Sequence, residues 1–324
     1  MPPRVILRAK AWKTGPRVKT LFFGTSDFAV PSLRVLAAKT ELAGVVTQPD
    51  RRSGRGHKLQ PTPVKSTARE LNLRVFEPTG LRSFSAQLAD EGYELFVLAS
   101  YGKILPQSLL DLPKYGALNV HPSLLPQYRG ATPIQSALKD GRSQTGVTLM
   151  LMDAGMDTGE VVLQEMTQIG SEENYGDLHE RLASMGGRLL GDAVDQLARG
   201  PLVHHPQIGE SSVTRPVSAP DIQIDWNWRA EQIVNHIRAF SPKPAARAFL
   251  GGVPVKILRA AVSVTSLHDP DCEKFKPGEI TASAGDDVAV KTGEGAVAIQ
   301  ELIAPNRGPV SGAAFARSIA ASRQ

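Results

Sequence analysis

Short apolar runs alternate with amphipathic stretches through the first two thirds of the chain. Apolar runs of strand length occupy residues 18–23, 42–47, 73–76, 94–100, 117–121, 146–153 and 159–169. Helical periodicity separates several of them, and a long amphipathic stretch over 175–199 closes this part. Strands alternating with helices predict right-handed crossover units and a mostly parallel sheet, hence an N-terminal Rossmann-like α/β domain.

The pattern changes in the last third of the chain. Residues 202–219 are rich in Pro, Ser and His and have no period, which predicts a linker. A helix is predicted over 230–240, followed by short alternating runs at 247–250, 253–264, 278–282, 287–291 and 296–302. Such strands predict a small C-terminal barrel of the OB type. We therefore divide the chain into a basic extension (1–17), an α/β domain (18–203), a linker (204–219) and a β-barrel domain (220–324).

Composition excludes several classes of protein. The chain has 324 residues, of which 41% are hydrophobic and 21% charged, as in ordinary globular proteins. It contains no run of eighteen apolar residues, so no membrane-spanning helix is expected. A single cysteine, Cys272, excludes an internal disulfide and a CxxC-type zinc site, and no HExxH motif occurs. We expect no metal, no membrane and a reducing, bacterial-type cytoplasmic location.

The net charge of +5 lies entirely in the first 17 residues, which carry five cations and no acid. The remaining chain is formally neutral, so any surface for nucleic acid has to be local. The extension lacks serine and is interrupted by prolines, unlike an organellar import peptide. We expect it to be disordered rather than a targeting signal.

Three polar residues follow predicted strands and carry the candidate chemistry. Asn119 and His121 are two apart at the end of the run 117–121, so their side chains share one face, and Asp157 follows a tight turn. The amide can donate to a developing oxyanion, and the imidazole can carry a proton near neutral pH. The carboxylate can fix the imidazole tautomer or accept a proton from an attacking amine. Together they suit acyl transfer to an amine.

Taken singly, each of these residues is more often structural. An isolated N-x-H pair is usually a turn Asn and a buried His, and an Asp in a tight turn is usually an Asx residue. The turn at Gly24 lacks the GxGxxG fingerprint, and no GxxxxGK[ST] motif occurs, which disfavours nicotinamide and nucleoside-triphosphate chemistry.

Several longer segments resemble the methionyl-tRNA formyltransferase family. In chain order they are GTSDFAVPSL, VTQPDRRSGRGHKLQPTPVK, YGKILP, NVHPSLLPQYRGATPIQ, GVTLMLMDAGMDTGE and IDWN. The resemblance implies transfer of a formyl group from 10-formyltetrahydrofolate to the α-amino group of methionyl initiator tRNA, with Asn119, His121 and Asp157 as catalytic residues. No serine or cysteine nucleophile is evident beside them, so we expect direct transfer.

By the same resemblance, the folate binds in a slot between strand ends and the Asp157 loop. Apolar strand ends and a glycine-containing loop expose backbone donors that suit a pterin ring. The residues implied are Phe96, Leu98, Tyr101, Gly102, Ser123, Leu124, Leu125, Pro126 and Asp153.

A basic insertion distinguishes the tRNA enzymes from the other folate-dependent formyltransferases. Over residues 48–65 it carries five cations and one acid, and it follows a predicted strand. It is therefore expected above the same sheet edge as the catalytic residues, where it can hold the phosphates of an RNA end. The tRNA-binding candidates are Arg51, Arg52, Arg55 and Lys58.

Two other functions stay open at this point. A related folate-dependent enzyme can formylate a sugar nucleotide or another small amine, and a catalytically silent RNA-binding protein can use the same scaffold. The chain also departs from the family at Lys243, where a tryptophan is common. We expect a monomer without an obligate protein partner.

Overall fold

The N-terminal domain of the computed structural model is built on a parallel sheet flanked by helices. The structure describes residues 17–53, 58–263 and 274–321. The strands of this domain are β1 (Lys19–Gly24), β2 (Glu41–Val46), β3 (Arg51–Ser53), β4 (Lys58–Gln60), β5 (Val75–Phe76), β6 (Leu95–Ala99), β7 (Ala117–His121), β8 (Arg129–Gly130), β9 (Gln144–Leu151) and β10 (Val161–Gln168). Its helices are α1 (Val30–Lys39), α2 (Pro63–Glu70), α3 (Leu81–Leu88), α4 (Gln107–Leu110), α5 (Pro133–Lys139) and α6 (Tyr175–Leu197).

The main sheet confirms the predicted, mostly parallel topology. In the described part of the chain it has seven strands in the order β10-β9-β7-β6-β1-β2-β5. From β7 to β5 all neighbours are parallel, whereas β9 runs antiparallel to both β7 and β10. Five parallel strands therefore end at one edge, where ligands bind in open sheets of this kind.

Apolar side chains cover both faces of this sheet. On one face α1 and α6 bury Leu33 and Leu190 against the strands. On the other face the rings of Phe23 and Phe96 lie 5.3 Å apart and pack with Leu109. Each such side chain contributes about 1.5–3 kcal/mol when fully buried, so the sheet is a rigid support for the residues at its edge.

The C-terminal domain is an antiparallel, curled sheet with one helix at each end of its sequence. Its elements, with the linker strand, are β11 (Val213–Thr214), α7 (Ala230–Phe240), β12 (Ala246–Leu250), β13 (Val253–Val262), β14 (Ile280–Ala284), β15 (Asp287–Lys291), β16 (Ala296–Ile303), β17 (Pro309–Ser311) and α8 (Gly312–Ala321). The sheet order is β12-β13-β16-β15-β14, with β17 on β16. This barrel-like arrangement confirms the predicted fold class. The sequence pattern did not predict β17 or α8.

The two domains are held together by direct packing and by the segment between them. Helix α7 packs against α5, and Phe240 belongs to the N-terminal core. The segment 202–219 lies along the N-terminal domain: His205 exchanges backbone hydrogen bonds with Val161, and β11 pairs with β8. Of the helices that the structure describes, none is long and apolar enough to cross a membrane.

Candidate active site

A cavity of about 560 Å³ opens at the carboxyl ends of β1, β6 and β7. Its walls are the turn after β1, the segments that follow β6 and β7, the loop 152–157, and the first turns of α5 and α6. A cavity of this size accommodates a small ligand, for which about 300–1,000 Å³ is typical.

The three predicted catalytic side chains meet at the wall of this cavity. The Asn119 amide Nδ2 donates to Asp157 Oδ1 at 3.2 Å, and Nδ1 of His121 lies 3.6 Å from Asp157 Oδ2. The backbone N–H of Gly130 donates to the same Oδ2 at 2.7 Å. The carboxylate is therefore held on both oxygens, by donors from β7 and β8.

Buried contacts fix the ring of His121, which is 4% exposed. Its Nε2 lies 2.9 Å from the carbonyl oxygen of Tyr128. A carbonyl oxygen only accepts, so Nε2 carries a hydrogen and Nδ1 is the nitrogen that faces Asp157. This contact sets both the orientation and the tautomer of the imidazole.

A tight loop with two obligatory glycines carries Asp157. A Cβ on Gly155 would lie 2.0 Å from Thr158 Oγ1, and one on Gly159 would lie 1.7 Å from the Leu151 carbonyl oxygen. Asp153 Oδ1 accepts from the Gly155 N–H at 3.0 Å and from Thr158 Oγ1 at 2.7 Å. Asp153, which sequence reasoning placed in the folate site, therefore also holds the loop that carries the carboxylate.

One half of the cavity has an apolar lining with exposed hydrophobic side chains at its rim. Leu98, Tyr101 and Met152 form part of this half, which we term the donor half. Ile104 is 85% exposed and Met156 is 53% exposed, and both line the opening. Covering large exposed apolar groups with a flat apolar ligand removes apolar surface from water, which favours binding of such a ligand.

The other half lies between α5, α6 and the turn after β1, and we term it the acceptor half. Phe28, Ile134 and Tyr175 line it together with His179. The His179 ring packs against both Phe28 and Tyr175, with centroid distances of 5.4 and 5.3 Å. Burial lowers the pKa of His179 even though Nε2 lies 3.5 Å from Asp27 Oδ1, a carboxylate that acts in the opposite direction, so the neutral imidazole is favoured.

The predicted folate residues divide into two groups. Leu98, Tyr101, Gly102 and Asp153 line the cavity. Phe96 is fully buried in the core and lies two residues before Leu98 on β6. The turn after β7 also lies outside the lining, because Ser123 Oγ bonds to the Gln127 carbonyl oxygen and its chain folds back towards β9. This turn contains Ser123, Leu124, Leu125 and Pro126.

The basic insertion contains a small hairpin, in which β3 pairs antiparallel with β4. Arg51 and Arg52 belong to β3, Lys58 begins β4, and Arg55 lies outside the described residues. The hairpin starts next to the cavity, because Nε2 of Gln48 donates to the Tyr101 carbonyl oxygen at 2.8 Å.

Sequence reasoning missed the contribution of the linker to this site. The Gln207 side chain bonds to the Asp157 loop and to Arg129, and nothing in the linker composition indicated such a role. It also missed the acceptor half of the cavity, because Ile134 and Tyr175 are ordinary apolar positions of α5 and α6 and Phe28 is an apolar residue of the turn after β1.

Two family assignments cover most of the chain. Residues 17–194 match the family described as formyl transferase, and residues 216–320 match the formyl transferase C-terminal domain. The methionyl-tRNA formyltransferase of Pelotomaculum thermopropionicum is 41% identical over 288 residues, covering 88% of this chain and 90% of that protein. The Heliobacterium modesticaldum protein of the same name is 41% identical, covering 93% of this chain and 96% of its own length.

Solved structures share the fold at lower identity. WlaRD, a sugar 3N-formyl transferase solved with dTDP and 5-N-formyl-THF, has a TM-score of 0.66 at 18% identity, covering 91% of this chain and all of its own. HypX from Aquifex aeolicus in complex with tetrahydrofolic acid has a TM-score of 0.61 at 17% identity. The match covers 94% of this chain but only 47% of HypX. By its two domain matches and its full-length relatives, the chain belongs to the methionyl-tRNA formyltransferase family.

Proposed function

We propose that this protein transfers the formyl group of 10-formyltetrahydrofolate to the α-amino group of methionyl initiator tRNA. The observation that carries the proposal is the meeting of Asn119, His121 and Asp157 on the wall of one cavity with two distinct halves. The family of the chain supports the choice of donor and acceptor. The candidate catalytic set is complete within one chain, and we propose a monomer that works in the cytoplasm.

The donor half suits the folate. Its apolar floor at Leu98 and Met152 can take the flat pterin, and the exposed side chains of Ile104 and Met156 can cover the ring that follows. The Gly102 backbone, with φ of 79°, reaches the lining without a side chain in the way. Of the residues implied for this slot, Leu98, Tyr101, Gly102 and Asp153 line the cavity, whereas Phe96 and the turn 123–126 lie outside its lining and their assignment stays a prediction.

The acceptor half suits an aminoacyl group. Phe28, Ile134 and Tyr175 form an apolar wall against which a methionyl side chain can pack. With its side chain there, the amino group lies near Asp157, while the ester end points out of the cavity towards the tRNA.

The residues of the site can perform direct acyl transfer. The donor supplies the formyl carbon, which the amine lone pair attacks. Asp157, held on both oxygens, accepts the proton that the amine loses, directly or through water. The second hydrogen of the Asn119 amide and a protonated His121 Nδ1 donate to the formyl oxygen as it gains negative charge. The bond from carbon to the folate nitrogen then breaks, and that nitrogen takes up a proton.

The basic hairpin can hold the acceptor stem above this site. The two strands of the hairpin contain Arg51, Arg52 and Lys58, and the hairpin follows the sheet edge that bears the cavity. We assign the same role to Arg55. Cations placed there contact phosphates, which supply most of the affinity for nucleic acid.

The test is to identify the amine that the purified protein formylates. With 10-formyltetrahydrofolate, methionyl initiator tRNA should yield formylmethionyl-tRNA, whereas glycinamide ribonucleotide and a UDP-aminosugar should remain unmodified. Mass spectrometry of the nuclease-released aminoacyl adenosine measures the product. Formylation of a sugar amine but not of methionyl-tRNA would contradict the proposal.

Single substitutions test the catalytic assignment in the same assay. Asn119→Ala, His121→Ala and Asp157→Ala should each reduce kcat by about 10²-fold or more, while tRNA binding stays near normal. An exposed histidine of the linker gives a matched control, so His205→Ala should leave kcat unchanged. Near-normal turnover of the His121 variant would remove that residue from the mechanism.

A further inference from the structure

The segment between the domains inserts one side-chain amide, that of Gln207, into the structure around the candidate catalytic carboxylate. Its Nε2 donates to the Asp157 carbonyl oxygen and to the Gly159 carbonyl oxygen, both at 2.8 Å. Its Oε1 accepts from Nε and Nη2 of Arg129 at 3.1 and 2.7 Å. A glutamine amide offers two donor hydrogens and two acceptor positions, so all of its capacity is used here.

The backbone that Gln207 holds is in an unusual conformation. Asp157 has φ of +55°, in the left-handed region that costs a residue other than glycine roughly 1 kcal/mol or more. Such a conformation persists only where surrounding contacts fix it. The two hydrogen bonds from Gln207 grip the peptide carbonyl of Asp157 itself and that of Gly159, two residues later.

The same segment also supports the other side of the carboxylate. Gly130, whose N–H donates to Asp157 Oδ2, lies on β8, and β8 is paired with β11 of the linker. The approach is close, since a Cβ on Gly130 would lie 2.3 Å from the Thr214 carbonyl oxygen. The linker therefore fixes both the backbone of Asp157 and the strand that donates to its side chain.

We infer that Gln207 is a positioning residue, through which the segment between the domains sets the geometry of the Asp157 carboxylate. The inference rests on the proposed function, in which Asp157 accepts the proton of the amine. Without the amide, the Asp157 carbonyl loses the hydrogen bond that fixes its peptide plane, and the carboxylate shifts relative to the donors that aim it. A displacement of about 1 Å at a reacting group can lower the rate about 10²-fold.

Two substitutions of Gln207 test whether its hydrogen bonds, rather than the size of its side chain, position the carboxylate. Gln207→Met keeps the length of the side chain and removes all four hydrogen bonds. Gln207→Glu keeps an acceptor for Arg129 but places a carboxylate oxygen against the two carbonyl oxygens. In the methionyl-tRNA assay both variants should lower kcat by about tenfold to a hundredfold, with KM for the tRNA and for 10-formyltetrahydrofolate within about twofold of wild type.

A second glutamine provides the matched control. Nε2 of Gln127 donates to the linker carbonyl oxygen of Glu210 at 2.6 Å, so it ties the same segment to the same domain without reaching the Asp157 loop. Gln127→Met should therefore keep the wild-type kcat. Thermal unfolding and binding of 5-formyltetrahydrofolate are measured for every variant, and kinetics are taken well below the unfolding midpoint.

The outcomes are distinct. Wild-type kcat in Gln207→Met, or an equal loss of kcat in Gln127→Met, would overturn the inference, as would a loss that appears only in KM. If Gln207→Met does not fold, the kcat of Gln207→Glu decides by the same criteria. A wild-type protein that formylates another amine would overturn the proposed acceptor only, and the Gln207 comparison would then be made with that amine.

Discussion

A buried lysine at the base of the basic hairpin should couple protein stability to tRNA binding. Lys65 lies at the start of α2 and is 7% exposed. Its Nζ donates to Asp50 Oδ1 at 2.8 Å and to Glu77 Oε1 at 3.0 Å. Asp50 directly precedes β3, so this cation joins the first strand of the hairpin to the sheet domain. Lys65 is the fifth cation of the insertion and was not among the tRNA-binding candidates, and the structure places it in an internal ion cluster.

The substitution Lys65→Met removes the charge and keeps the aliphatic stem. A hydrogen bond to a charged group contributes about 1.5–3 kcal/mol, and two are lost. The side chains of Asp50 and Glu77 are 28% and 31% exposed, so water can partly solvate them in the variant. We therefore expect a loss of about 2–3 kcal/mol, below the 3–5 kcal/mol typical of fully buried pairs.

The effect of pH on this contribution follows from the pKa of Lys65. The hydrogen bonds to Asp50 and then to Glu77 raise this pKa above its ordinary value of 10.5. A raised lysine pKa gives stability that is fully present below 10.5 and is lost as the pH rises through the folded-state pKa. The difference between the variant and the wild type should thus be constant at pH 7–9 and shrink in strong alkali.

Urea unfolding followed by circular dichroism measures the stability, and filter binding measures the affinity for tRNA. An exposed ion pair between Glu70 of the same helix and Arg34 of α1 gives the control. Glu70→Gln should cost less than about 1 kcal/mol. Lys65→Met should also weaken tRNA binding several-fold, because the hairpin loses its attachment. A Lys65 variant as stable as Glu70→Gln, with wild-type tRNA affinity, would refute this reasoning.

Two further predictions concern the hairpin and a buried histidine. Replacing Arg51, Arg52 and Lys58 by Ala should leave folate binding unchanged. The slope of log affinity for tRNA against log salt concentration should become shallower by about 2–3, because fewer counterions are released on binding. An unaltered slope would show that the hairpin is ordinary solvated surface. Burial lowers the pKa of His236 from 6.5 to about 4. Its neutral form is favoured in the folded state, so about 3 kcal/mol of stability should be lost as the pH falls from 6.5 towards 4. Urea unfolding at pH 7 and pH 4 should show a smaller loss of stability for His236→Phe than for the wild type. An equal loss in both proteins would show that other groups cause it.

The sequence predicted those elements whose hydrophobic period reflects one buried face. Strand β7 and helix α7 have the predicted bounds, because each presents a regular face to a core. The last helix, α8, was missed since its alanine-rich sequence gives little contrast between faces. The hairpin β3–β4 was expected only as a flexible loop, because backbone pairing of three residues a side leaves no apolar pattern.

In the candidate site, too, the sequence predicted the positions that a regular strand period determines and not those that depend on tertiary contacts. Asn119 and His121 could be placed together from strand period alone, since positions two apart share a face. The positions of the predicted folate residues relative to the cavity could not be derived from the sequence pattern, because the direction of a turn depends on tertiary contacts. Thr148 Oγ1 donates to the Ser123 carbonyl oxygen at 2.7 Å, and this bond holds the turn after β7 against β9 rather than beside the cavity.

The segment between the domains shows why composition is a poor guide to mobility. It lacks a hydrophobic period because its contacts are backbone pairs and polar side chains, as at β11 and Gln207. Those contacts end on the backbone of Asp157, while α7 of the second domain packs on α5, which carries Ile134 of the acceptor half. The second domain and the segment before it therefore contact elements that form both walls of the cavity. Gln207 bonds on the carboxylate side, through the backbone of Asp157, whereas the packing of α7 on α5 bears on the acceptor half, so substitution at Gln207 should affect turnover rather than binding.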